Sequence, residues 1–162
     1  MNNKSGGIVA IAIAIAMVAT PAQACWNNAE QDAARIANLN QKLMVSGLRC
    51  RFGKDNFLND YNRFVTRNNA LLASQHELIK GRYARTHGAR AANAELDRFM
   101  IGLANHYGGG NGSPDCSQLK ELAGHLSSAR HDSASLTMLA DQHAGIPHHA
   151  RQSCSVSIAA RR

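Results

Sequence analysis

Phe57-Leu58-Asn59-Asp60-Tyr61-Asn62-Arg63-Phe64-Val65-Thr66-Arg67-Asn68-Asn69-Ala70-Leu71-Leu72-Ala73-Ser74-Gln75-His76-Glu77-Leu78-Ile79 is the stretch that decides the fold. Phe57, Phe64, Leu71 and Leu78 recur every seven residues, and Leu58, Val65, Leu72 and Ile79 follow them one place later. A repeat of this kind specifies a long helix packed lengthwise against other helices. Tyr61, Asn68 and Gln75 fall between the apolar pairs. Turned inward, the two amides would set register or line a polar cavity. Solvated edge positions avoid the desolvation cost and are the expectation here.

Outward from this helix the same reading continues. Asp55 is placed to cap it, after a turn at Arg51-Phe52-Gly53-Lys54, and Lys80 to Gly88 is expected to end it, with Gly81 and Gly88 as weak points. Upstream, a first helix is expected from Asn28 to about Cys50. Asn27 is its cap, and Glu30 sits at the capping-box position. Ile36, Leu39, Leu43 and Cys50 lie on one side of it, and Gln31, Arg35, Asn38, Lys42 and Arg49 on the other, so one face is expected to be buried. Downstream, Leu96, Phe99, Met100, Leu103 and Tyr107 mark a third helix over 89–107. Gly108-Gly109-Gly110-Asn111-Gly112 is a link. Ser113 and Pro114 then suit the cap and first turn of a fourth helix. Leu119, Leu122, Leu126, Ala129, Leu136 and Ala140 extend that helix to about His143, with a kink at His131-Asp132-Ser133. The expected fold is all-α, an up-down-up-down four-helix bundle.

The cysteines constrain this bundle. Cys25, Cys50, Cys116 and Cys154 are even in number, and no pair has C-x-x-C spacing. A continuous first helix of ~22 residues spans ~33 Å. Cys25 and Cys50 then lie at opposite ends, far beyond the ~7 Å reach of a disulfide. In the bundle, the ends of the first helix meet the ends of the last, which pairs Cys25 with Cys154 and Cys50 with Cys116.

The N-terminus reads as a secretory signal over residues 1–24. Lys4 supplies the positive charge, Ile8 to Val18 the apolar run, and Ala22-Gln23-Ala24 the small residues before cleavage near Ala24. Lipidation of Cys25 competes with this reading, although Gln23 fits a lipid-attachment motif poorly. The protein is expected to be periplasmic or extracellular, with a helical domain over 25–144 and a polar C-terminal tail over 145–162 anchored by Cys154. No transmembrane segment is expected in the mature chain. Its net charge is +7, from 18 Lys plus Arg against 11 Asp plus Glu. Cleavage removes only Lys4 of these, so a basic surface remains to meet anionic envelope components. The basic residues are not interleaved with enough aromatics for a nucleic-acid stacking platform.

Catalytic signatures are sparse. Ser117-Gln118-Leu119-Lys120 has the S-x-x-K form, without the S-D-N and K-T-G partners of the serine enzymes that use it. There is no G-x-S-x-G, P-loop or G-x-G-x-x-G. No cofactor is expected. The one cluster whose side chains would suit zinc or copper is His143, His148 and His149 near the C-terminus.

Ala24-Cys25-Trp26, Leu48-Arg49-Cys50 and Tyr61-Asn62-Arg63-Phe64 give the chain a resemblance to a group of small exported helical bacterial proteins with four cysteines. The likeness covers residues 25–70. It implies export and the four cysteines, and carries no activity with it. The functional expectation is a non-enzymatic exported binding or envelope-associated module. The alternative is a metal or small-ligand binder using the His-rich C-terminal segment.

Overall fold

A computed structural model describes residues 25–109 and 115–154. The signal-sequence reading of residues 1–24, the Ser113 cap and Pro114 first turn, and the tail beyond Cys154 lie outside the described residues. Five helices carry the chain: α1 Asn28–Arg49, α2 Leu58–His87, α3 Ala92–Gly108, α4 Cys116–Ser128 and α5 Ser133–His143. A 3-10 turn follows at His148–Ala150. The expected last helix is therefore two helices.

α1 begins where its capping box places it. The Asn27 side chain accepts from the Glu30 amide, and the Glu30 carboxylate accepts from the Asn27 amide, each at 3.0 Å. These bonds satisfy two donors that a helix start leaves open. The helix packs on all four others, so its burial is not confined to one face. Ala33, Ala34 and Ala37 are buried alongside Ile36, Leu39 and Leu43. Asn38, expected on the solvent side, is buried as well. Its amide donates to the carbonyls of Ala144 and Gly145, and its oxygen accepts from the Tyr107 hydroxyl at 2.9 Å. One buried amide thus joins α1 to α3 and to the end of α5.

α2 has 30 residues, continues past Gly81 and ends at His87, where Gly88, at φ 84°, is the expected terminator. Its Asp55 cap is not used. The Asn56 side chain instead accepts from the Leu58 amide at 3.0 Å. The buried positions are Phe64, Asn68, Leu72, Gln75, Ile79 and Arg82. A straight helix drifts about 20° per heptad against a strict seven-residue repeat. The seam therefore leaves the Phe57–Phe64 line and reaches Leu72 and Ile79, while Leu78 is 41% exposed. The same drift buries Asn68 and Gln75, contrary to the solvated positions expected for them.

Asn68 explains the break in the last helix. Its oxygen accepts from the His131 amide at 2.8 Å, and its nitrogen donates to Phe64 O at 2.9 Å. Next to it, Arg67 donates to the carbonyls of Ser127 and Ser128, at 2.8 and 2.7 Å. These carbonyls would be left open at the end of α4. Asp132 then caps α5 through the Ser135 amide. Side chains of α2 thus take over the hydrogen bonds that a continuous helix would make. At its other end α4 is capped by Asp115, which accepts from Gln118 N. Gly145, at φ 69°, ends α5 in a left-handed conformation suited to glycine.

The core forms two clusters. One joins Ile36, Leu39 and Leu43 to Phe57, Phe64 and Leu72 of the α2 side and to Leu122, Leu126, Leu136 and Ala140 of α4 and α5. The other joins Trp26, Ala33 and Ala37 to Ile79, Phe99, Leu103 and Ala150. Within the second, the Arg82 guanidinium lies 4.4 Å from the Trp26 ring centre, and buried Glu30 pairs with Arg85. Residues 145–154 form a strap over this cluster. Ala150 is fully buried, its carbonyl accepts from Gln31, and Trp26 bonds to Gln152 and Cys154 through the backbone.

Two disulfides close the structure. Cys25 is bonded to Cys154 and Cys50 to Cys116, with Cα separations of 4.9 and 5.8 Å. The first ties the strap to the start of α1, and the second ties the end of α1 to the start of α4.

Candidate functional site

The end of α1 that carries Cys50 opens into a groove of about 670 Å³. Four helices build it. Lys42, Ser46 and Arg49 come from α1, and His106 and Tyr107 from α3. Leu119, Leu122 and His125 come from α4, and Leu139 and His143 from α5. Three leucines make an apolar wall because α4 and α5 turn their core stripes toward α1 here. Two cations, Lys42 and Arg49, seven residues or about two turns apart on α1, line the same groove.

Each cation is anchored. Lys42 Nζ donates to the His143 carbonyl at 2.5 Å, and Arg49 donates to the Tyr107 carbonyl at 3.0 Å. Both carbonyls belong to the last turns of their helices, where acceptors are left open and the dipole favours cations. Burial holds the Lys42 amine below its usual value. Asp115 and Glu121 sit on the α4 side. The Asp115 carboxylate is committed to its cap, where the Gln118 amide and the Ser117 hydroxyl hold its pKa below the usual range.

His143 is the one member of the expected metal cluster that reaches the groove. His148 and His149 are exposed on the 3-10 turn beyond Pro147. Among the described residues no group of three or more His, Cys, Asp or Glu side chains could hold a metal ion. The group weighed as a zinc or copper site, His143, His148 and His149, is therefore not formed. The His148 and His149 rings stay together, 5.7 Å apart and edge to face on the 3-10 turn, whereas His143 stays at the end of α5. The S-x-x-K pair is likewise divided. The Ser117 hydroxyl donates to Asp115 Oδ1, and Lys120 Nζ donates to the Lys54 carbonyl.

Burial, then the nearby Lys42 ammonium and His125, lower the His143 pKa from the ordinary imidazole value of 6.5. The folded protein thus binds fewer protons here than the unfolded chain. The stabilising contribution is present above 6.5 and is lost as pH falls from there through the folded pKa. In an NMR pH titration, His143 should titrate below 6.5, the ordinary imidazole value. In Lys42→Met its midpoint should move part of the way back, because burial remains. A His143 midpoint at or above 6.5 would contradict this account.

Comparisons with protein-family models, with curated proteins and with solved structures found no match for the chain. No helix among the described residues is long and apolar enough to cross a membrane. Sequence reading singled out only His143 among the groove residues as a functional candidate. The others come from four helices and share no local motif, so only a correct packing of those helices would have assembled them.

Proposed function

We propose that the protein is an exported helical binding module whose groove takes a small amphipathic anion, an organic acid with an extended apolar body. The observation that carries this reading is the pairing of Leu119, Leu122 and Leu139 with Lys42 and Arg49 across one open groove. Its volume of about 670 Å³ lies in the range of small-molecule sites, which combine apolar walls with a few placed polar groups. Export is supported by the signal-like residues 1–24, by two disulfides, which persist in oxidising compartments, and by the resemblance carried by residues 25–70. The same basic character suits the anionic components of a cell envelope.

The disulfide-bonded protein should bind anilinonaphthalene sulfonate with a rise in fluorescence, and dodecanoate should displace it. Lys42→Met combined with Arg49→Met should weaken dodecanoate binding by about tenfold or more, as expected for loss of charge-assisted contacts. Near-UV circular dichroism should stay unchanged. Equal affinity in the double variant, or no displacement by dodecanoate, would remove the support for this reading.

A further inference from the structure

The turn between α1 and α2 places an aromatic ring at the tip of the molecule. Phe52 is 86% exposed, the most of the large apolar side chains described, with Met138 next at 69%. Full burial of such a ring is worth a large gain that the isolated protein forgoes. Leu48, on the last turn of α1, is 49% exposed. Arg51 and Lys54 flank Phe52 and are exposed, and the Arg51 guanidinium lies 4.4 Å from the Phe52 ring centre. Lys120, which donates to the Lys54 carbonyl, adds to the positive surface. Of the acids at this end, Asp55 is half-buried and faces Lys120 at 4.0 Å, and Asp115 is held in the α4 cap.

The turn is also held in shape. Cys50 is buried and bonded to Cys116. Gly53 N donates to Cys50 O, Asn56 N to Gly53 O, and the Asn56 side chain to Arg51 O. A rigid loop that displays one aromatic ring among cations meets two demands at once. The ring suits the boundary between headgroups and acyl chains, and the cations suit lipid phosphates. A polyanion in water would engage the cations and leave no apolar phase for Phe52 and Leu48.

We propose that this tip docks the protein on an anionic lipid bilayer, with Phe52 inserted below the headgroups and Arg51 and Lys54 set against the phosphates. The inference stands apart from the groove reading and uses other residues.

Flotation with phosphatidylcholine vesicles, with and without phosphatidylglycerol, tests it. The disulfide-bonded protein should float with the anionic vesicles and stay behind with the neutral ones. Phe52→Ser should weaken binding by about tenfold, in line with loss of a buried aromatic ring. Arg51→Glu with Lys54→Glu should weaken it by about tenfold or more. Phe52→Trp should show a blue shift in emission on adding anionic vesicles, over the constant signal of buried Trp26. Absence of flotation with anionic vesicles would overturn the proposal. So would unchanged binding in Phe52→Ser together with an unshifted Phe52→Trp spectrum. Heparin retention that persists in Phe52→Ser, without vesicle binding, would point to a polyanion instead and would equally overturn it.

Discussion

Phe64→Ala is expected to lower the free energy of unfolding by about 3–5 kcal/mol, and Leu78→Ala by less than about 1 kcal/mol. The two residues occupy equivalent places in the seven-residue repeat. In the folded chain they differ completely. Phe64 is 1% exposed and sits in the larger core cluster, against helices on both sides of α2. Removing its ring leaves a cavity that rigid neighbours cannot collapse to fill. Leu78 is 41% exposed, so truncation removes little buried area and opens no cavity. Urea unfolding followed by far-UV circular dichroism gives both values. Similar losses for the two variants would mean that α2 follows the strict repeat and that the seam does not drift.

Removal of the disulfides should have the second large effect. Cys25→Ser with Cys154→Ser, or Cys50→Ser with Cys116→Ser, is expected to cost about 2–4 kcal/mol. The sequence separations are 129 and 66. One doubling of loop length is worth only about 0.6 kcal/mol of closure entropy, so the two losses should be similar. Accessibility, in contrast, separates the bonds. Cys154 is exposed at the edge of the strap, whereas Cys50 is 4% exposed within the core. Under mild reduction followed by alkylation, mass spectrometry should find Cys25 and Cys154 modified before Cys50 and Cys116. The opposite order would mean that the α1–α4 end opens more readily than the strap.

Much of the local structure can be read residue by residue. Asn27 and Glu30 define the start of α1 because a cap is a short-range arrangement of side chain and amide. Helix length excludes a Cys25–Cys50 bond, and the bundle order, which sets the ends of the first helix beside those of the last, selects one of the two pairings left. The break near His131 shows as an Asp-Ser signal, which pattern alone reads as a kink. Its depth depends on Arg67 and Asn68, some sixty residues earlier in the chain. Asn38 misleads for a related reason. A polar residue on a helix reads as exposed unless distant partners are known, and its partners come from α3 and the end of α5.

By itself, then, the sequence determined an all-helical chain, the cap that starts α1, the pairing of its cysteines and the basic character of its surface. These depend on spacing, length and charge, which act within an element or along the whole chain. Tertiary structure decided which side of α2 is buried, where the last helix divides and which side chains meet in the groove. It also set His143 in the groove and left His148 and His149 paired outside it. Those outcomes depend on the angular drift of a straight helix and on hydrogen bonds between distant segments, and both are settled only when the helices pack.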